Sequence, residues 1–179
     1  MRKTLINILL FQIGWFACVL GAASDKALIG SSIALAIIIF HLYRTTEWRH
    51  ELMLILIAMF IGFIWDSYLA YRDWIQYPYG QLTPDTAPYW IVIMWGLFAT
   101  TLNVSLSWLK RSIVASVLFG AIGGPLAYIA GNKLGAVEFS DSTSALIALS
   151  IGWGILTPLL LQLTDLIKGS NKDTVGSKP

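Results

Sequence analysis

The sequence predicts an all-α fold, a polytopic bundle of six transmembrane helices. Hydrophobic residues make up 56% of the 179-residue chain and charged residues only 12%, whereas soluble domains average about 25% charged residues. A helix needs about 20 mostly apolar residues to cross a bilayer, and several stretches of the chain have that character. The predicted spans are residues 4–22, 27–43, 51–71, 88–109, 112–131 and 143–165.

The N-terminal segment, residues 1–24, begins with basic residues, continues with an apolar middle and ends with small residues, as a secretory signal peptide does. Gln12, Gly14, Trp15 and Phe16 interrupt its apolar middle, which favours a retained first helix. Residues 1–167 are therefore predicted to form a single transmembrane domain. The polar residues 168–179 are expected to be a disordered cytoplasmic tail.

The distribution of lysine and arginine predicts the orientation of this bundle. One side of the six-span arrangement carries Arg2, Lys3, Arg44, Arg49, Lys110, Arg111, Lys168, Lys172 and Lys178. The other side carries only Lys26, Arg72 and Lys133. Because cytoplasmic loops are enriched in Lys and Arg, both termini should be cytoplasmic.

Two connections between spans differ sharply in length. Residues 109–111 read as a very tight turn, so the fourth and fifth helices are expected to form an antiparallel pair. Residues 72–88, RDWIQYPYGQLTPDTAP, form the one long loop and are rich in aromatic residues and proline. This loop is interpreted either as an interfacial aromatic belt or as a cap over an outward opening.

Composition argues against several classes of function. The net charge of +2 is too small to indicate nucleic-acid binding, and the single Cys18 cannot form an internal disulfide. The sequence contains no Cys/His metal spacing, no glycine-rich nucleotide fingerprint and no G-x-S-x-G motif. We therefore expect no metal and no cofactor.

The third predicted span carries two carboxylates, Glu51 and Asp66, which are costly in hydrocarbon. They are fifteen residues apart, about 22 Å along a helix, so they cannot form one catalytic pair. Glu51 lies near the cytoplasmic end, where it forms either an interfacial ion pair or part of a polar cluster. That cluster is predicted to contain His41, Arg44, Glu51 and Ser107.

Asp66 lies in the outer half of its helix and is the candidate catalytic residue, as an acid/base or a polar anchor. The alternative is a boundary cap or a packing hydrogen bond. Its expected partners at similar depth are Trp90, Tyr128, Asn132 and the aromatic residues of the long loop.

Other polar and aromatic side chains at mid-depth suggest a ligand cavity. Trp15, Trp95 and Trp153 either fill the core or line a cavity for a flat or chain-like apolar ligand. The candidate ligand-binding set is Gln12, Trp15, Trp95, Asn103, Tyr128 and Trp153. Asn103 and Ser107 have a second interpretation, because they also suit helix packing or the cytoplasmic cluster.

The fifth predicted helix contains a G-x-x-x-G pair, Gly120 and Gly124, followed by Pro125. This pattern favours close helix packing with a local kink. The alternatives are a hinge, or backbone exposed to a ligand.

Four segments carry a resemblance to a known family. They are NILLFQIGWFACVLGA (7–22), the pattern of Glu51, Gly62 and Asp66, PYWIVIMWGLFATTLNVSLSWL (88–109) and GAIGGPLAYIAGNKLGAVEF (120–139). On these segments the chain resembles an uncharacterised domain-of-unknown-function family of small six-helix inner-membrane proteins from Gram-negative bacteria. The resemblance implies a bacterial inner-membrane location and supplies no activity, ligand or catalytic residue.

Three functional hypotheses follow from the sequence. The first is the binding or modification of a fatty-acyl or isoprenoid-like lipid in an intramembrane cavity. The second is a small transporter or channel that uses the intramembrane carboxylates. The third is a scaffold subunit for a partner membrane enzyme. Membrane lipids are the expected partners in the first case, and the sequence leaves open whether the protein is an enzyme and whether it is an oligomer.

Overall fold

The computed structural model describes the backbone of residues 1–175 and the side chains of residues 1–167. Within these residues the fold is an all-α bundle of six helices, as predicted. The helices are α1 Arg2–Ala23, α2 Ala27–Arg44, α3 Trp48–Tyr71, α4 Tyr89–Leu102, α5 Ile113–Lys133 and α6 Ser142–Val175. A short 3₁₀ helix, Ser107–Arg111, precedes α5, and two short strands, β1 Ile75–Gln76 and β2 Glu138–Phe139, form one antiparallel pair.

Five of the six helices, α1, α2, α3, α5 and α6, are long and apolar enough to cross a membrane. Their outward faces carry large exposed apolar side chains such as Leu9, Phe60 and Ile155. By length and composition the chain is therefore a membrane protein. The predicted tail begins where the described side chains end, and its last residues, 176–179, lie outside the described part of the chain.

The fourth helix is shorter than the predicted span 88–109, because α4 ends at Leu102 after 14 residues. The polar residues that follow form hydrogen bonds to other helices instead of continuing the α-helix. Asn103 donates to Glu51 of α3 at 2.8 Å, and Ser105 donates to Asn7 of α1 at 2.6 Å. These contacts stabilise an irregular connection of ten residues, 103–112.

The expected tight turn and antiparallel pairing of the fourth and fifth helices are wrong for the same reason. The connection is long enough to carry α5 away from α4, and α5 packs instead along α6, whereas α4 packs against α1, α2 and α3. The predicted close packing at Gly120 is present in this α5–α6 contact. A side chain at Gly120 would overlap the Trp153 carbonyl and the Thr157 hydroxyl.

Contacts between the connections define two ends of the bundle. The basic end holds the N-terminus, the α2–α3 connection and residues 103–112, joined by the bonds of Asn7 and Glu51 described above. The opposite end, which we call the strand end, holds the β1–β2 pair and the start of α6. There Asp141 accepts bonds from the backbone of Thr143 and Ser144 and from the Ser144 hydroxyl, and the Ser144 bonds lower the pKa of Asp141.

Candidate functional site

Asp66 is fully buried, with 0% of its surface exposed, and both carboxylate oxygens accept hydrogen bonds. Tyr77 Oη donates to Oδ1 at 2.7 Å, and Tyr128 Oη donates to the same oxygen. Trp95 Nε1 donates to Oδ2 at 2.7 Å. The carboxyl group thereby joins α3, the long loop, α4 and α5 at one point, which we call the Asp66 station: Asp66, Tyr77, Trp95 and Tyr128.

Two glycines allow the indole of Trp95 to occupy its position. Gly62 lies one turn before Asp66 on α3, and a side chain there would overlap the Trp95 ring. On its other side Trp95 stacks on Trp153 of α6, with centroids 4.4 Å apart and rings inclined by 12°. Trp153 in turn lies where a side chain of Gly124 would be. Two indoles are therefore stacked between the backbones of α3 and α5.

The long loop folds back over the strand end instead of extending away from it. Trp90 Nε1 donates to the Tyr79 carbonyl at 3.0 Å, and the Ala87 amide donates to Ser67 Oγ at 2.9 Å. These bonds turn Tyr77 inward, where only 4% of it is exposed. The loop thus supplies one of the donors to Asp66, which a purely interfacial aromatic belt would not do.

The structure brings some of the predicted partners of Asp66 together and places others elsewhere. Tyr128 and one loop aromatic, Tyr77, contact the carboxyl group. Trp90 of α4 donates instead to the Tyr79 carbonyl of the loop, and Asn132 donates to the Val137 carbonyl at 2.9 Å. Trp95 was predicted to line a ligand cavity, and nothing in the sequence marked it as a partner of Asp66.

A cavity of about 580 Å³ lies between α1, α4 and α5, with part of α6 at its base. We call it the cleft. Along α1 its lining runs from Ile8 to Val19, about 16 Å of helix. Gln12, Trp15, Trp95, Tyr128 and Trp153, five members of the predicted ligand-binding set, all line it.

The lining of the cleft is mainly apolar and aromatic, as is usual for small-molecule sites. Asp66 is not among its lining residues, whereas Tyr128 and Trp95 are. Those two side chains therefore stand between the carboxyl group and the cavity. In this geometry Asp66 holds Tyr128 and Trp95 in their positions at the cavity wall.

Asn103 differs from the other predicted ligand-binding residues because it belongs to a polar chain at the basic end. His41 Nε2 lies 3.1 Å from Glu51 Oε2, and Asn103 Nδ2 donates to Glu51 Oε1. Lys110 Nζ donates to Asn103 Oδ1 at 2.9 Å and pairs with Asp165 Oδ1 at 2.8 Å. The chain connects α2, α3, the end of α4, the 3₁₀ helix and α6.

Two predicted members of the cytoplasmic cluster do not take part in these bonds. Arg44 stacks its guanidinium over the Phe40 ring, 5.5 Å from the centroid. Ser107 Oγ donates to the carbonyl of Val104 in its own turn. Lys110 and Asp165 take their places. The sequence contained a signal for Asp165, because it is a carboxylate at the basic end of the predicted span 143–165. In the predicted topology that end lies at the same depth as Lys110.

Among the described residues there is no group of three or more His, Cys, Asp or Glu side chains that could hold a metal ion. The lining of the cleft offers aromatic and apolar surface together with a few hydrogen-bonding side chains such as Gln12 and Tyr128. The Asp66 station contributes phenol and indole groups whose hydrogens already point at the carboxyl group.

Comparison with known proteins gives a family and no activity. The family described as "Protein of unknown function (DUF2878)" matches residues 4–159. A search of curated proteins found no match, and a search of solved structures found none either.

Proposed function

We propose that this chain, which belongs to the DUF2878 family, binds a fatty-acyl or isoprenoid-like lipid in the cleft. The single observation that carries the proposal is the cleft itself: a cavity of about 580 Å³ with an apolar and aromatic lining. Ligand sites typically have volumes of about 300–1,000 Å³ and a lining of this kind.

The shape of the cleft supports a chain-like ligand. Its lining extends from Trp108 and Ser105 near the basic end to Val137 at the strand end, so it follows the direction of the helices. A molecule that fills it would lie parallel to the acyl chains of the surrounding bilayer. The helices α1 and α5 both line the cleft and do not pack closely along each other, and we propose that the ligand enters between them from the membrane.

The proposal includes a six-span topology with both termini in the cytoplasm of a bacterial cell. The basic end carries most of the lysines and arginines, which supports this orientation. The helix α4 is about 21 Å long, shorter than the hydrocarbon layer of about 30 Å. Ten of its 14 residues are buried in the protein, so other helices surround most of this short helix.

A photoactivatable fatty acid with a diazirine in its chain would test the proposal. The purified protein in detergent is labelled by illumination, and the modified peptides are located by mass spectrometry. We expect saturable labelling on the cleft-lining faces of α1 and α5, which excess unlabelled fatty acid abolishes. Labelling that is spread over all outward faces and resists competition would show only non-specific contact with lipid and would contradict the proposal.

A further inference from the structure

The charged side chains that the structure describes are divided unequally between the two ends of the bundle. The basic end has more cations than carboxylates, with Arg2, Lys3, Arg44, Arg49, Lys110 and Arg111 against Glu47, Glu51 and Asp165. The strand end has fewer, with Lys26, Arg72 and Lys133 against Asp25, Asp73, Asp85, Glu138 and Asp141. Because the cleft runs from one end to the other, a molecule bound in it has a positive end and a negative end beside it.

Half of the cations at the basic end are already engaged within the protein. Lys110 pairs with Asp165 at 2.8 Å, and Arg44 and Arg49 stack their guanidinium groups over neighbouring aromatic rings. Within the part of the chain that the structure describes, the other three make no hydrogen bond, ion pair or ring contact: Arg2, Lys3 and Arg111. These three charges are therefore available to a ligand.

Arg111 lies beside the basic end of the cleft. It is the last residue of the 3₁₀ helix Ser107–Arg111, in which three residues make one turn. Arg111 and Trp108 are three residues apart, so they lie on the same side of this helix. Trp108 lines the cleft, and both side chains are exposed. The aromatic wall of the cleft is thus followed by an exposed guanidinium group.

The first turn of α1 lies beyond the same end of the cleft. Ile8 is the first residue of α1 in the lining, and Lys3 precedes it by five residues, about 8 Å along the helix. Arg2 and Lys3 are both exposed. Long basic side chains of this kind place their charge at the membrane–water boundary while the stem stays on apolar surface.

The strand end of the cleft is less suited to an anion. The lining there includes Gly131 and Val137, and the residue that follows Val137 is a carboxylate, Glu138. Asp73, Asp85 and Glu138 also line a separate polar cavity of about 290 Å³ at this end. Lys133, two residues beyond Gly131, is a cation at an end where carboxylates predominate.

Resting on the proposed function, we infer that the lipid in the cleft has an anionic headgroup at the basic end and extends its apolar chain toward the strand end. Arg111, Arg2 and Lys3 bind the headgroup. Guanidinium and ammonium groups form charge-assisted hydrogen bonds to carboxylate and phosphate oxygens, and the planar fork of arginine suits both anions. The ligand class is therefore an acidic lipid with one charged end, and not a neutral alcohol or ester.

Lipids of equal chain length with different headgroups test this inference: a fatty acid, an alkyl phosphate and a fatty alcohol. Their affinities are measured on the detergent-purified full chain by competition against a fluorescent fatty acid, at a pH at which the acid is ionised. We expect the acid and the phosphate to bind at least about tenfold more tightly than the alcohol, the effect of one charge-assisted hydrogen bond.

Substitutions to glutamine show which cations cause that preference. Arg111→Gln and the double variant Arg2→Gln, Lys3→Gln should each reduce it, because they remove charge and keep a polar side chain. Arg49→Gln is the control at the same end, since no residue of α3 lines the cleft. Lys133→Gln is the control at the other end. Both controls should keep the preference, and all five side chains are exposed, so the substitutions leave the core unchanged.

The outcomes separate the inference from the proposed function. Equal affinities for the acid and the alcohol would overturn the inference and leave lipid binding intact. A preference that survives both Arg111→Gln and the double variant would also overturn it. The same holds if Arg49→Gln or Lys133→Gln reduces the preference as strongly as Arg111→Gln does, because the headgroup would then respond to charge in general or lie at the strand end. If none of the lipids competes, both the inference and the proposed function fail.

Discussion

Tyr128 of α5 donates its hydroxyl hydrogen to Oδ1 of Asp66 on α3. This bond connects two parts of the bundle, since α5 packs along α6 and α3 packs along α4. The cleft lies beside the junction, and Tyr128 contributes to both. The buried carboxyl group of Asp66 therefore has a structural role, because it holds these helices together beside the cleft.

Removing the Asp66 carboxyl group should destabilise the protein strongly. In Asp66→Ala three buried donors, Tyr77, Tyr128 and Trp95, lose their acceptor, and each unsatisfied group costs about 1–3 kcal/mol. We expect a clear fall in the thermal unfolding temperature in detergent. Asp165→Ala is the control, because its side chain is 66% exposed and exposed ion pairs contribute about 1 kcal/mol or less. Equal effects of the two substitutions would contradict this account of Asp66.

Neighbouring glycines of α5 should respond in opposite ways to alanine. Gly124→Ala places a methyl group against the Trp153 ring, and such overpacking costs about 1–3 kcal/mol. Gly123→Ala meets nothing within 4 Å, so it should be neutral or stabilising by up to about 1 kcal/mol, the helix preference of alanine over glycine. The thermal unfolding temperatures of the two variants test whether Trp153 packs on the backbone at Gly124. A loss of stability in Gly123→Ala would contradict the open space beside Gly123.

The polar chain at the basic end should depend on Asn103 and not on Ser107. Asn103→Leu breaks the link between Glu51 and Lys110, both of which lose a hydrogen bond, and we expect a loss of about 1–3 kcal/mol in unfolding free energy. Ser107→Ala removes only a bond to the carbonyl of Val104 and should change little. Denaturant titration of the two variants measures the difference, and similar stabilities would exclude a structural role for the chain.

The six helices were predictable because a long apolar stretch in a membrane must satisfy its own backbone hydrogen bonds, and an α-helix does so. The end of α4 was not predictable in this way. Asn103 and Ser105 leave the helix to bind residues 52 and 98 positions away, and hydropathy carries no information about such partners. A run of apolar residues that continues to Leu109 therefore predicted a helix seven residues too long.

The candidate site was predictable in its residue types and only partly in its contacts. A carboxylate in hydrocarbon marked Asp66, and its depth suggested Tyr128. The contact with Trp95 depends on Gly62, which removes a side chain one turn away from Asp66. The contact with Tyr77 depends on a loop fold that local sequence patterns do not specify. Both are consequences of packing between elements that are distant in the chain.

The orientation of the bundle can be tested with single cysteines. Native Cys18 is buried, with 0% exposed, and is first replaced by alanine. Thr83→Cys at the strand end should react with a membrane-impermeant maleimide in intact spheroplasts, because the positive-inside rule places that end outside. Ser112→Cys at the basic end should react only after the membrane is permeabilised. The reverse pattern would invert the proposed topology.

The central claim, that the cleft holds a lipid, is tested most directly by filling it. Gly123→Phe places a ring in the cavity, where a side chain meets nothing within 4 Å. Ile122→Phe places the same ring on the adjacent outward position, which is 58% exposed. Binding of a fluorescent fatty acid is measured on both purified variants and the unchanged protein. The account predicts that Gly123→Phe loses at least about tenfold in affinity while Ile122→Phe binds normally. Equal binding by both variants would contradict it.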